Sequence, residues 1–130
     1  MSATETTTEF RFGVEHFAAF WDAPDLSRAG LVLSPEVTGD WPGDPEPVRG
    51  VDAYVERIAE VLDLVPDIRL EVLEHAENGD FLFIHWLATG TGKDGPFELD
   101  GIDRIAIGED GRVAGNVIRY DTARFAELAG

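Results

Sequence analysis

Asp103 stands in FELDGIDRIAIGEDGRV (residues 97–113), where an aspartate interrupts an apolar row. Strand side chains alternate between faces, so Leu99, Gly101, Asp103, Ile105 and Ile107 share one face and Glu98, Asp100, Ile102, Arg104 and Ala106 the other. A carboxyl on an apolar face either takes up a proton or finds a partner for its charge. Kept neutral, it can donate a hydrogen bond to an oxygen on which negative charge develops. The competing explanations are a slipped register and a salt bridge to a nearby arginine. The second acid, Asp40, closes a short strand in VTGDWPGDPEP. Strand ends and the loops after them present reactive groups from rigid elements, and Trp41 beside it supplies an apolar wall. Ordinary turn chemistry explains the same aspartate equally well.

Other polar groups fall on apolar elements. In GNVIRYD, Asn116, Ile118 and Tyr120 alternate with Val117, Arg119 and Asp121, which gives a pocket wall with an amide and a phenol. Asp121 is better placed as a helix cap. His85, inside FLFIHWLAT, is a candidate cavity residue, and His16 lies next to Phe17 on the first helix. The three histidines share no ligand spacing and the chain has no cysteine, so no metal site is expected. GTGKDG lacks the order of a phosphate-binding loop and opens no helix, and no G-x-S-x-G elbow is present.

The elements that must position these groups are legible from periodicity. Phe10, Val14, Phe17 and Trp21 recur at helical spacing, predicting a first helix from about Thr8 to Asp22, stopped by Pro24. A short second helix follows, about Asp25 to Leu33, and EVTGD makes a brief strand. After Gly50, Val51, Tyr54, Val55, Ile58, Val61, Leu62 and Val65 form one broad stripe, a third helix closed by Pro66. Then the period changes to two: IRLEVLEHA, FLFIHWLAT, FELDGIDRIAI and RVAGNVIRYD read as a four-stranded antiparallel meander joined by Asn-Gly and Asp-Gly hairpin signals. DTARFAEL closes the chain as an aspartate-capped helix. Helices first and strands later is the α+β class.

The 130 residues fit a single domain, 1–130, with residues 1–7 an expected disordered tail. Ten Lys+Arg against 26 Asp+Glu give a formal charge of −16, which excludes nucleic acid and anionic membrane as partners. The start MSATETTTEF is not a secretory signal and no segment has membrane-spanning length; with no cysteine, the expected location is cytoplasmic.

The element order and the two acids resemble the nuclear transport factor 2-like superfamily, and within it the SnoaL-like cyclases and the ketosteroid isomerases. LDGIDRIAIGEDGRV is similar to the isomerase pattern of an aspartate on an apolar strand before a DG+I/V turn, and VTGDWPG followed by PVRG is similar to the segment carrying the isomerase base. The resemblance implies a cone of three helices against a strongly curved sheet, enclosing a deep apolar pocket. It puts Asp103 at the oxyanion-hole aspartate and Asp40 at the general base. The isomerases' first-helix tyrosine has no counterpart in EHFAAFW, which holds His16 and Phe17 there. Limonene-type epoxide hydrolases require an aspartate where this chain has Ile118.

The expected function is therefore proton transfer next to a carbonyl of a neutral, apolar, ring-shaped molecule, as isomerase or cyclase, without metal or cofactor. Phe17, Trp41, Tyr54 and His85 are expected at the substrate, as are Leu99, Asn116, Ile118 and Tyr120. The alternative is a non-catalytic ligand-binding or assembly module on the same fold. Even-numbered positions of the 81–89 strand, such as Ile84 and Trp86, are also apolar, so a homodimer through the outer face of the sheet is expected.

Overall fold

The computed structural model describes residues 10–130. The expected tail and the expected helix start at Thr8 lie outside the described residues. Helix α1 (Val14–Asp22) begins after Gly13, an extended N-cap whose N–H donates to His16 Nδ1 at 2.9 Å. It starts later than the periodicity predicts because Phe12 is held outside the helix: its N–H donates to the Gly111 carbonyl at 2.8 Å. Helix α2 (Leu26–Ala29) is capped by Asp25 and passes into a single 3-10 turn over Gly30–Val32. The second helix is thus shorter than predicted, and strand β1 (Leu33–Asp40) takes over at Leu33. Pro35 is tolerated there because it falls in the irregular stretch between Leu33 and Thr38.

Strand β2 (Val48–Arg49) leads through Gly50, at φ +90°, into helix α3 (Val51–Leu64). Pro66 ends the helix by excluding helical backbone at Val65, which sits at φ −133° and ψ 84°. Strands β3 (Arg69–Asn78), β4 (Phe81–Gly92), β5 (Gly95–Ile107) and β6 (Val113–Arg119) form the predicted antiparallel meander. Helix α4 (Thr122–Ala129) follows, its Asp121 carboxylate accepting the Arg124 N–H at 2.9 Å.

The sheet has six strands, not four, in the order β2-β1-β6-β5-β4-β3. β1 runs parallel to β6 and β2 antiparallel to β1, so the sheet is mixed where an antiparallel one was expected. The parallel pair joins segments about 80 residues apart, beyond the reach of hairpin signals. Register shifts between Val72 and Glu74 and between Ala106 and Ile107 bend the sheet, as β-bulges do. Helices α1–α3 cover its concave face, giving the α+β cone that the resemblance implies.

The inner face carries Leu82, Ile84, Trp86 and Ala88 from β4, with Phe97, Asp103, Ile105 and Ile107 from β5, all buried. The hairpin register pairs Ile84 with Asp103 and Trp86 with Gly101, which puts the even-numbered positions of β4 inside. Ile84 and Trp86 are therefore core residues, a correction to their expected place on the outer face. The outer face instead exposes Phe81, Phe83 and Ile102. Two glycines let large rings lie flat against the sheet: a Cβ at Gly39 would collide with Trp41 and Tyr54, and one at Gly101 with Trp86.

Candidate functional site

Between the helices and the inner face lies a cavity of about 510 Å³. α1 brings Phe17 to it, and α3 brings Tyr54, Ile58 and Val61, spaced one helical turn apart on one stripe. The sheet brings Trp86 and Ala88 from β4, Leu99 and Asp103 from β5, and Asn116 and Ile118 from β6. Trp41 and Tyr120, just past the ends of β1 and β6, complete the wall. The cavity thus unites Phe17, Trp41, Tyr54, Leu99, Asp103, Asn116, Ile118 and Tyr120 of the expected site.

Asp103 is the acid at its centre. Across the sheet it is flanked by Ile84 on β4 and Ile118 on β6, and the residue is 5% exposed. Its polar partners come from the diagonal positions of the same two strands. Trp86 Nε1 donates to Asp103 Oδ1 at 2.9 Å, and Asn116 Nδ2 donates to Oδ2 at 2.9 Å. Burial pushes the carboxyl up from its ordinary 3.8 to about 6, against the lowering effect of the bonds from Asn116 and Trp86. At neutral pH the group is mostly ionised, yet close enough to its midpoint to take or return a proton, which is the tuning that general acid–base chemistry needs. Among the described residues its hydrogen-bond partners are an indole and an amide, not the arginine of the salt-bridge explanation.

Asn116 extends the network. Its Nδ2 also donates to Tyr54 Oη at 3.0 Å, while its Oδ1 is buried with no partner among the described residues. Burial holds the Tyr54 phenol above its ordinary 10, so it stays protonated. His16 also lines the cavity; its Nδ1 already accepts the Gly13 N–H, which in the neutral ring leaves Nε2–H as the donor.

Two expected site residues lie elsewhere. Asp40 and Asp103 do not share the cavity. In the β1–β6 ladder Gly39 pairs with Asn116 and Asp40 with Val117, so alternation gives Gly39 the inward position and turns Asp40 outward. There Asp40 Oδ2 accepts from Arg119 Nη2 at 3.1 Å, and its backbone carbonyl from Nη1 at 3.1 Å. His85 is likewise outside, because the odd-numbered positions of β4 face away from the helices. Its Nδ1 meets Glu74 at 3.0 Å and its Nε2 meets Asp100 at 2.8 Å, and the two carboxylates raise its pKa, Asp100 most.

Trp86 was missed as the partner of Asp103. The signal was available: had the Lys93-Asp94 turn of GTGKDG been used to set the β4–β5 register, Trp86 would have fallen opposite Gly101 and so diagonal to Asp103. Arg57 and Asp44, described below, carried no such signal. Among the described residues no group of three or more His, Asp or Glu is placed to hold a metal ion, and no helix is long and apolar enough to cross a membrane.

The family model for the SnoaL-like domain matches residues 14–116. Among solved structures, TerC co-crystallised with polyporic acid is 23% identical, over 89% of this chain and 93% of that one, with a TM-score of 0.75. A protein with a ketosteroid isomerase-like fold from Catenulispora acidiphila DSM 44928, in complex with trimethylamine, is 14% identical over 90% and 91%, with a TM-score of 0.78. IdmH from Streptomyces antibioticus, a candidate polyketide cyclase, is 17% identical over 88% and 94%, with a TM-score of 0.75. At these identities the likeness is one of fold. No curated protein matches the chain by sequence. The cone, its cavity and a family match that spans α1 to Asn116 agree: the chain belongs to the SnoaL-like domain family.

Proposed function

We propose that the chain is a cofactor-independent enzyme that moves a proton next to a carbonyl of a neutral, apolar, ring-bearing molecule, with Asp103 as the acid–base group. The observation that carries this is a buried ionisable carboxyl on the wall of a largely apolar cavity, oriented by two donors and tuned to about 6. Asp103 takes the proton from the carbon beside the carbonyl, the C–H electron pair passes into the enolate, and the proton returns to carbon or oxygen of the product. Asp40 has no part, since it lies across the sheet. That TerC and the Catenulispora protein were crystallised with small molecules supports a small-molecule ligand for this cavity.

The test is exchange of the α-proton into deuterated water for a panel of enones and β-keto esters. Asp103→Asn is expected to slow exchange by about 10²-fold or more, the scale of a lost general base. Equal rates in the two proteins would remove Asp103 as the base and leave the second reading, a non-catalytic ligand-binding module. The absence of Asp40 from the cavity favours that second reading, because it removes the expected partner acid. Under either reading we also propose a cytoplasmic protein in which a second copy covers the outer sheet face, a proposal supported by Phe81, Phe83 and Ile102 being 36–50% exposed there. Light scattering on the wild type and on Phe83→Glu checks this, with a dimer expected only for the former.

A further inference from the structure

The loop after β1 also contributes an acid, Asp44, behind the cavity residue Trp41. Arg57, on the flank of α3 between Tyr54 and Ile58, pairs with it twice: Nε to Asp44 Oδ2 at 2.9 Å and Nη2 to Oδ1 at 3.3 Å. The Arg57 side chain is 16% exposed, and Glu60 Oε1 lies 3.7 Å from its Nη1. The guanidinium also stacks on Trp41, 5.2 Å from the ring centroid. In a chain with ten cationic side chains and 26 acids, this arginine has been drawn to the back of the cavity wall. Tyr120 lines the same cavity from the end of β6. Its ring packs edge-on against Trp86, at 6.2 Å between centroids, and against Phe125 on α4, at 5.6 Å.

We propose that Tyr120, held and polarised by the Arg57–Asp44 pair, is the subsite that reads a hydrogen-bond acceptor on the ligand. The proposal rests on the cavity being the ligand site and names the ligand class: an apolar ring body bearing an oxygen acceptor within reach of Tyr120. Trp86 fixes the spacing of the subsite from Asp103, because the one indole donates to the carboxylate and packs against the phenol. Burial raises the Tyr120 pKa, Arg57 works in the opposite direction, and Asp44 and Asp103 add to the rise. The phenol therefore keeps its proton at neutral pH and acts as a donor, while the adjacent guanidinium favours negative charge arriving on its oxygen. Arg57 is a positioning residue that acts through Tyr120.

Binding needs no turnover, so the test stands apart from proton exchange. The probes are 2-acetonaphthone, which carries one carbonyl acceptor, and naphthalene, which carries none. Tyr120→Phe is expected to weaken 2-acetonaphthone binding by about 5- to 10-fold, the worth of one hydrogen bond, and to leave naphthalene unchanged. Arg57→Met should weaken 2-acetonaphthone by a smaller factor, add nothing in the Tyr120→Phe background, and be partly rescued by Arg57→Lys. Because the chain has two tyrosines, ¹³Cζ-tyrosine labelling reads Tyr120 directly, and its titration should move to higher pH in Arg57→Met. If that variant fails to fold, Asp44→Asn replaces it: the arginine stays but loses its anchor, and the expected effect is a weakened 2-acetonaphthone complex. Equal losses for both probes in Tyr120→Phe, or additive effects of Tyr120→Phe and Arg57→Met, overturn the subsite. Its failure would leave Asp103-dependent exchange standing, and loss of that exchange would leave the subsite standing.

Discussion

Asp103→Asn should make the protein's stability less sensitive to pH, and the size of the change follows from the burial of one carboxyl. In the unfolded chain Asp103 titrates at its ordinary 3.8, and in the folded chain at about 6. The folded state therefore holds the proton more tightly, so the contribution is complete below 3.8 and is lost as pH rises through about 6. The difference corresponds to about 3 kcal/mol between acid and neutral pH, a large part of the roughly 5–15 kcal/mol typical of a whole domain. The introduced amide has no titration, and Asn116, whose Oδ1 lacks a partner among the described residues, can turn its own amide to accept from it. Urea unfolding of both proteins at intervals from pH 3.5 to 8 gives the comparison, and the other titrating groups cancel in the difference. Wild type should lose about 3 kcal/mol relative to Asp103→Asn across that range. Parallel curves would refute the placement of an ionisable carboxyl in an apolar interior.

Three other outcomes are expected. Trp86→Phe removes the donor to Asp103 Oδ1; a hydrogen bond to a charged group is worth about 1.5–3 kcal/mol, so the Asp103 midpoint should rise by about one to two pH units, read by ¹³C-carboxyl NMR. Asp40→Asn should leave α-proton exchange unchanged, since Asp40 is bound to Arg119 on the outer face; a drop in exchange rate would put that acid back into the chemistry. His85 should titrate above its ordinary 6.5, and Glu74→Gln with Asp100→Asn should return it toward that value, followed by its ring proton resonances. Because the folded value is raised, whatever stability this cluster adds is present below 6.5 and is lost as pH rises through the raised value.

Much of the architecture was legible because local signals act over short distances. The apolar stripe of α3, the Asn-Gly and Asp-Gly turns and the Asp121 cap each depend on residues a few positions apart, and each appears where periodicity and turn chemistry placed it. The parallel β1–β6 pair and the two-residue β2 were not legible, since neither leaves a local trace. Asp103 was found by alternation alone, because a carboxyl in an apolar row violates a pattern of period two. Asp40 satisfied a motif but failed on parity: one residue of register decides which face a strand residue takes, and Gly39 holds the inward place. The same parity moved His85 out and Trp86 in. Arg57 and Asp44 looked like surface charge, and only packing brings them behind Trp41.

The central claim is that the buried carboxyl of Asp103 exchanges protons with a ligand in the cavity. Its most direct test is the rate of α-proton exchange on the most reactive β-keto ester of the panel, measured from pH 4 to 9. The expected profile rises with pH through a single midpoint near the Asp103 value of about 6, levels above it, and is absent in Asp103→Asn. A profile that keeps climbing with hydroxide concentration, identical in the two proteins, would contradict it.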